Sequence, residues 1–368
     1  MKYDIVCTNC GASYTGRDAE FRCGKCNSIL EVKYDYDSLK LAKNFKSRKI
    51  EHKKYEQFYP VSSRLTSDGE GGTRLLTLRN AYKGIKKLYL KLETENPTRS
   101  FKDRGSSVEI TKAKEAGYKS VCCASTGNMA ISISHYAKMD GLDCTIFISR
   151  GANPRKLALI RKNGAKIVEI KGDFNDAVEA AEKFASMNKT FLCGDYHYRK
   201  EGQKSVIFEI LEQLKYKAPD FVCVPVGNAT LLAAVYKGLS EFRKVGLYTG
   251  ETSIVAVQAK NCSPLVTAYR LGKRISYVRP RTKADAIAVG FPTFGFEGLG
   301  ALKATRGVGV EVSDKEMETA KRDLSAKGVK SELGGAAAFA GFKKLYKKGT
   351  GLIKDKSVVV IVSGNNET

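Results

Sequence analysis

The stretch KLYLKLETENPTRSFKDRGSSVEITKAKEAGYKSVCCAS, residues 87–125, decides the fold. It begins with a run rich in large apolar residues, passes through a polar loop that contains Pro97, and continues as a helical segment from Lys102 onward. A second apolar run, SVCCAS at 120–125, follows shortly after Gly117. Strand, helix and strand in this order are typical of the βα units that build parallel sheets.

The same alternation continues through the rest of the chain and predicts an α/β architecture with largely parallel sheets. Further strands are expected at CTIFIS (144–149), KIVEIK (166–171), TFLCGD (190–195), FVCVPVG (221–227), SIVAVQA (253–259) and SVVVIVSG (357–364). Pro154 is a start signal for one helix, and Ser313 with Glu316 forms a capping box before another. Because the strands are continuously apolar, we expect helices on both faces of the sheets and functional loops at the carboxyl ends of the strands.

Cysteines near the start of the chain form two CxxC pairs, Cys7 with Cys10 and Cys23 with Cys26. Two such pairs can hold a tetrahedral Zn²⁺ between four thiolates, which leaves no coordination position open for substrate. We therefore predict a structural zinc ribbon over residues 1–35. A redox role for either pair is the alternative, but neither is followed by the helical pattern of a thioredoxin-like site.

The bulk composition is that of a large globular protein. The chain has 368 residues, of which 42% are hydrophobic, and it lacks an apolar stretch long enough to cross a membrane. Its start has no apolar signal-peptide core, so the expected location is the cytoplasm. Ten cysteines in such a chain favour thiols or metal ligands over disulfides, and the six outside the CxxC pairs are mostly expected to be buried.

The formal net charge of +24 indicates an anionic partner. Lysine and arginine are spread along the chain, with modest clusters at 83–91 and 343–356, and aromatic residues are not interleaved with them in the manner of RNA-binding motifs. We therefore expect a basic solvated surface that attracts anionic substrates. A nucleic-acid-binding protein that reads its target with the zinc ribbon is the alternative from a different functional class.

Lys102 stands at the start of a predicted helix, where the partial positive charge of the helix terminus disfavours its ammonium form. Its amine is therefore easier to deprotonate for covalent chemistry on a carbonyl group. Two strand-to-helix loops, STGN at 125–128 and GNAT at 227–230, offer backbone N–H groups to a carboxylate and a phosphate respectively. A reactive lysine with two anion sites fits an amino acid joined to pyridoxal phosphate.

Four segments, NPTRSFKDRG (96–105), ASTGNMA (124–130), HYRKEGQKS (197–205) and VPVGNAT (224–230), resemble in order and spacing the motifs of threonine synthases. The resemblance extends to EGGT at 70–73 and SELGGAAAFAG at 331–341. It implies a pyridoxal-phosphate-dependent enzyme of the tryptophan-synthase-β type (fold type II). After the ribbon, a large domain is expected over 36–94 and 201–368, and a small mobile domain over 95–200.

The resemblance also implies roles for individual residues. Lys102 is expected to bear the cofactor and to move protons, Asn128 to bond the phenolic oxygen of the cofactor, and Ser363 to bond its ring nitrogen. The cofactor phosphate is expected at Gly227, Asn228, Ala229 and Thr230, and the substrate carboxylate at Ser125, Thr126 and Gly127.

The reaction of this family converts O-phospho-L-homoserine and water into L-threonine and phosphate. The chain departs from the family pattern where Arg99 replaces a common glycine, Met129 a small hydroxyl residue, Thr230 a glycine, and Cys193 an asparagine near the substrate phosphate. These departures keep open a related enzyme of β-replacement or β-elimination, such as a serine/threonine dehydratase or a cysteine-synthase-like enzyme. A homodimer also stays open.

Overall fold

The structure, a computed structural model, describes residues 2–15, 21–39, 41, 45–172, 174–349 and 351–366. The strands, in chain order, are β1 (Tyr3–Cys7), β2 (Ser13–Tyr14), β3 (Leu30–Tyr34), β4 (Leu75–Thr77), β5 (Lys87–Leu92), β6 (Ser120–Ala124), β7 (Asp143–Ser149), β8 (Lys166–Ile170), β9 (Phe191–Cys193), β10 (Phe221–Pro225), β11 (Ser253–Ala259), β12 (Val308–Val312) and β13 (Ser357–Val362). The α-helices are α1 (Lys102–Glu115), α2 (Asn128–Met139), α3 (Pro154–Lys162), α4 (Phe174–Met187), α5 (His197–Gln203), α6 (Ser205–Gln213), α7 (Thr230–Lys244), α8 (Pro264–Leu271), α9 (Gly295–Ala304), α10 (Asp314–Ser325) and α11 (Leu333–Lys347). Short 3-10 helices lie at Tyr36–Ser38, Phe45–Ser47, His52–Phe58, Glu93–Glu95 and Asp285–Ile287.

The chain divides into two compact units. The first unit consists of residues 1–72 and 102–205, and the second consists of residues 73–101 and 206–368. The ribbon strands β1 to β3 and the sheet β6 to β9 therefore belong to the first unit, and the remaining strands belong to the second. The finer division expected from the sequence, with a mobile domain over 95–200, stays a prediction.

The first unit is built on a parallel sheet with the strand order β8-β7-β6-β9. Helix α4 packs on this sheet through a face of small residues, Ala177, Ala181 and Ala185, that recur one turn apart. Small side chains allow the helix to approach the strands closely. The six cysteines outside the CxxC pairs are all buried, as expected from their apolar surroundings.

The ribbon is an antiparallel sheet of order β2-β1-β3 that is joined to α5 by a buried polar contact. The Tyr34 hydroxyl, at the end of β3, donates to Oε2 of Glu201 at 2.7 Å. The Lys204 amine donates to the same oxygen at 2.6 Å and lies 4.3 Å from the centre of the Tyr34 ring. One carboxylate thus ties the ribbon to the helix that follows β9.

The second unit contains a sheet of order β12-β11-β10-β13-β5-β4, in which only the β4 pairing is antiparallel. The central strand β10 is buried along its whole length. Helix α11 packs closely on the chain just after β13. A Cβ atom on Gly335 of this helix would come within 2.3 Å of the Gly364 carbonyl oxygen. Glycine is needed at that contact because any side chain would meet backbone.

Local sequence signals located most elements correctly. Each apolar run that we interpreted as a strand forms one, α3 begins at Pro154, and the capping box of Ser313 and Glu316 starts α10. The sequence analysis missed β4 and β12, two short strands with several half-buried residues and therefore a weak apolar pattern. Among the helices of the described ranges, none is both long and apolar enough to span a membrane.

Candidate functional site

Lys102 is the first residue of α1, and its side chain is only 17% exposed. Its amine lies 3.8 Å from Oδ1 of Asp195, a residue of the loop between β9 and α5. Burial lowers the pKa of the Lys102 amine, and the positive charge of Arg199 lowers that pKa further, whereas Asp195 raises it. The helix terminus alone had been expected to ease deprotonation of this amine, and burial acts in the same direction.

A buried ion pair between Glu109 of α1 and Arg199 of α5 lies close to this lysine. The Arg199 guanidinium also donates to the Lys102 carbonyl at 3.3 Å and to the Gly194 carbonyl at 3.0 Å. Burial raises the pKa of Glu109 to about 7, against the lowering effect of Arg199. Sequence reasoning missed this pair because its partners are far apart in the chain and neither residue type is unusual at its position.

The loop at 125–127 joins β6 to α2, which confirms the predicted strand-to-helix position of this loop. The Gly127 backbone N–H donates to the Ser125 hydroxyl at 3.2 Å, and Gly127, the N-cap residue of α2, has no side chain with which to cap the helix. The side-chain nitrogen of Lys156, a fully buried residue of α3, would lie 3.9 Å from a Cβ atom at Gly127. This buried lysine was not predicted, since nothing in the sequence distinguishes Lys156 from the many surface lysines.

The loop at 227–229 joins β10 to α7 in the second unit. Ala229 adopts a left-handed conformation with φ of 61° and places no side-chain cap on the helix, which begins at Thr230. The Asn228 side-chain oxygen accepts hydrogen bonds from the Thr293 backbone at 3.3 Å and from its hydroxyl at 3.2 Å. The loop is thereby held from the side at the N-terminus of α7, an end of a helix that favours anions.

Ser363 directly follows β13 and is buried. Its carbonyl oxygen accepts a hydrogen bond from the Phe101 backbone at 3.0 Å. Its hydroxyl makes no hydrogen bond to any residue that the structure describes. Buried hydroxyls usually have a hydrogen-bond partner. The Ser363 hydroxyl, which bonds to no described residue, is therefore suited to bond a ligand.

The residues that depart from the family pattern keep parts of its geometry. Arg99 has a φ of 61°, so the backbone retains a left-handed conformation that glycine adopts easily. In the loop at 227–230 the left-handed residue is Ala229, while Thr230 is already helical. Met129 is buried in α2, and Cys193 is buried at the end of β9, where burial raises the pKa of its thiol well above the ordinary value.

The four ribbon cysteines come together as the spacing predicted. The sulfur atoms of Cys7, Cys10, Cys23 and Cys26 all lie within 4.8 Å of one another. The Cys7 and Cys26 sulfurs are 3.5 Å apart, as are those of Cys10 and Cys23. Four converging thiol groups at these separations fit a tetrahedral Zn²⁺ with Zn–S bonds of about 2.3 Å.

Comparison with known proteins agrees with this geometry. Residues 66–364 match the family described as "Pyridoxal-phosphate dependent enzyme". The threonine synthase of Methanosarcina acetivorans is 37% identical to this chain over 99% of the chain and 91% of that protein. The threonine synthase of Methanocaldococcus jannaschii is 36% identical over 98% of the chain and 91% of that protein.

The chain belongs to the threonine synthase family of pyridoxal-phosphate-dependent enzymes. Solved structures support the same fold. Maize serine racemase superposes with a TM-score of 0.70 at 23% identity, covering 80% of this chain and 88% of that one. A fungal L-serine ammonia-lyase from Rhizomucor miehei superposes with a TM-score of 0.70 at 21% identity, covering 80% and 93% respectively. The expected fold class and the expected cofactor of the threonine synthase family are thereby confirmed.

Proposed function

We propose that this enzyme is a threonine synthase that converts O-phospho-L-homoserine and water into L-threonine and phosphate, with pyridoxal phosphate attached to Lys102. The observation that carries the proposal is the largely buried amine of Lys102, whose pKa is lowered, in a chain that matches threonine synthases over nearly its whole length. A neutral amine is the form that bonds to an aldehyde and that accepts a proton from carbon.

The cofactor, when bound, supplies an electron sink that makes the Cα and Cβ protons of the amino acid acidic enough to remove. Lys102 takes up those protons and returns protons to carbon as phosphate leaves Cγ and water adds at Cβ. One amine can do this in both directions because burial keeps its pKa below the ordinary lysine value.

The proposed cofactor contacts follow the residues expected from the sequence. Asn128, buried at the start of α2, would bond the phenolic oxygen, and the buried Ser363 hydroxyl would bond the ring nitrogen. The phosphate would lie against the backbone of 227–230 at the N-terminus of α7, where Thr293 donates two hydrogen bonds that hold Asn228 in place. Neutral partners of this kind leave the ring nitrogen less protonated than an aspartate would.

The proposed substrate contacts lie in the first unit. Ser125, Thr126 and Gly127 would hold the substrate carboxylate at the start of α2, whose N-cap residue Gly127 carries no capping side chain. The buried ammonium of Lys156 beside Gly127 adds a positive charge that favours an anionic amino acid there. A strongly basic chain, at +24, attracts a phosphate ester from solution as well.

We also propose that the cysteine cluster binds a structural Zn²⁺. The support is the convergence of four sulfur atoms within 4.8 Å, which leaves no coordination position for a substrate. Removal of the metal by a chelator should loosen the ribbon and lower the melting temperature of the whole enzyme, since Tyr34 ties the ribbon to α5. A metal analysis that finds no zinc in protein purified without chelator would contradict this assignment.

The activity is tested by incubating the cofactor-loaded enzyme with O-phospho-L-homoserine and measuring threonine and phosphate together. Equal release of both products, abolished in Lys102→Ala and retained in the exposed control Lys119→Ala, supports the proposal. Release of pyruvate from serine or O-phosphoserine without threonine formation would instead favour the β-elimination alternative. A cytoplasmic location and a homodimer stay predictions, and light scattering of the purified enzyme tests the second.

A further inference from the structure

The carboxylate of Asp195 lies beside the amine of Lys102, and the proposed function assigns it no task. The Asp195 oxygen and the Lys102 nitrogen are 3.8 Å apart, and the Asp195 side chain is only 8% exposed. Two largely buried opposite charges at this distance interact strongly because little water screens them. The pair is therefore a feature of the site rather than a surface ion pair of small effect.

The fold fixes the position of Asp195. The backbone N–H of the preceding residue, Gly194, donates to Glu109 at 2.9 Å, and its carbonyl accepts from Arg199 at 3.0 Å. A Cβ atom on Gly194 would come within 2.9 Å of the Tyr196 ring, so the turn has no room for a larger residue. A buried ion pair thus holds the two peptide groups that flank Gly194, the residue immediately before Asp195.

Other charged or titratable groups of the first unit also act on the Lys102 amine. They are Glu109 of the same helix, Arg199 of α5 and the Cys123 thiol of β6. Arg199 already pairs with Glu109, and the Cys123 thiol stays protonated because burial raises its pKa well above the ordinary value. Asp195 is a carboxylate within ion-pair distance of the amine, and it is the strongest of the influences that favour the protonated form of Lys102.

We propose that Asp195 is a positioning residue that holds Lys102 in its ammonium form between proton transfers. When a substrate C–H bond breaks, its proton moves to the lysine nitrogen, and the resulting positive charge lies next to the Asp195 carboxylate. When the proton returns to carbon, the N–H bond breaks and Asp195 keeps its charge throughout. The inference rests on the proposed role of Lys102.

The distance between the Asp195 carboxylate and the Lys102 amine suits a group that stabilises the ammonium between proton transfers. Burial and Arg199 both disfavour the ammonium, so that without a counter-ion the amine would release a captured proton too readily to deliver it to carbon. At 3.8 Å the carboxylate is beyond hydrogen-bond distance, so it favours the ammonium without locking the proton in place.

The test measures the ionisation of Lys102 directly, on cofactor-free protein, by reductive methylation with formaldehyde over a series of pH values. Peptide mass spectrometry quantifies methylation at Lys102 relative to the exposed Lys119 in the same sample. Removing the carboxylate in Asp195→Asn should move the Lys102 profile to lower pH by about one unit or more, which raises the labelling rate at acid pH about tenfold. Asp195→Glu, which keeps the charge, and Asp143→Asn, which removes an exposed carboxylate, should keep the wild-type profile.

A second readout comes from turnover of the cofactor-loaded enzyme. Asp195→Asn should lower kcat several-fold and leave KM nearly unchanged, because the proposal places Asp195 at the lysine and not at the substrate. An unchanged labelling profile in a folded Asp195→Asn protein overturns the inference even if threonine is produced. If borohydride instead traps the cofactor on a lysine other than Lys102, the assignment of Lys102 as the cofactor-bearing residue is wrong. That result is distinguishable from an unchanged labelling profile, which contradicts only the role of Asp195.

Discussion

The surroundings of Lys102 and the loop at 227–230 are constructed from different kinds of groups. Near Lys102 the first unit buries charged side chains, among them Glu109 and Arg199, which are almost fully excluded from solvent. The loop of the second unit relies on backbone N–H groups and on the neutral amide of Asn228. Buried charges are costly unless each has a partner, whereas a neutral loop needs only local hydrogen bonds. Substitutions in the two regions should therefore differ in kind and in size.

The largest effect is expected from Arg199→Ala. This change leaves the Glu109 carboxylate buried without its cation, which typically costs about 3–5 kcal/mol of unfolding free energy. Urea denaturation of the cofactor-free protein measures the loss, with the exposed Arg155→Ala as the matched control. A loss below about 1 kcal/mol would mean that water reaches the pair and that the contrast between the two regions is weaker than the structure indicates.

A smaller effect is expected from Glu109→Gln, and it should depend on pH. The folded-state pKa of Glu109, about 7, is above its ordinary value of 4.5, so wild-type protein should lose stability as pH rises through this interval. The glutamine side chain does not ionise, so the variant should lack the fall in unfolding free energy that ionisation of Glu109 causes. Its own deficit, from an Arg199 without a carboxylate, should stay constant because arginine remains charged over the same interval. Parallel stability curves for both proteins would contradict the prediction.

In the second unit, Asn228→Ala should act on the cofactor more than on the fold. It removes two hydrogen bonds to Thr293, and their combined loss should weaken pyridoxal phosphate binding about tenfold. Absorbance titration of cofactor-free protein measures the dissociation constant. Thr293→Val, which removes only the hydroxyl contact, should show a smaller loss. Equal affinity in all three proteins would indicate that the loop keeps its shape without this amide.

The smallest effect on stability is expected from Ser363→Ala. Because the Ser363 hydroxyl bonds to no residue in the described part of the chain, the unfolding free energy of cofactor-free protein should change by less than about 0.5 kcal/mol. The loaded enzyme should nevertheless show a shifted cofactor absorbance band and reduced turnover. If cofactor-free Ser363→Ala loses more than about 1 kcal/mol, the hydroxyl has a structural role and its assignment to the cofactor weakens.

The local structure of the candidate loops could be predicted from the sequence, whereas the buried charged contacts beside Lys102 could not. Loops such as 125–128 and 227–230 can be predicted from neighbouring residues, because the signals for the strand, the turn and the helix start all lie within a short segment. The helix start at Lys102 was predicted for the same reason and is confirmed by α1, while the cofactor-bearing role of this lysine stays a proposal. The convergence of the CxxC pairs could also be predicted from the sequence, because their spacing alone is typical of cysteines that bind one metal ion.

The contacts of Asp195, Glu109 and Lys156 could not be predicted in this way. Each depends on which residues distant in sequence the fold brings together, such as α1 with α5 or α3 with the loop at 125–127. A lysine or a carboxylate in a helix has no local sign that it will be buried. In a chain with 63 basic residues, the few that lie inside could not be distinguished from the many on the surface.

The left-handed backbone of Arg99 has a consequence for how such enzymes are recognised. An arginine in this conformation costs about 1 kcal/mol relative to glycine, yet the turn before Lys102 keeps its shape. Ala229 does the same before α7. A search pattern that requires glycine at each left-handed position would reject both residues, whereas a pattern of backbone angles would accept them. In these two turns the fold requires a positive φ, and residues other than glycine supply it.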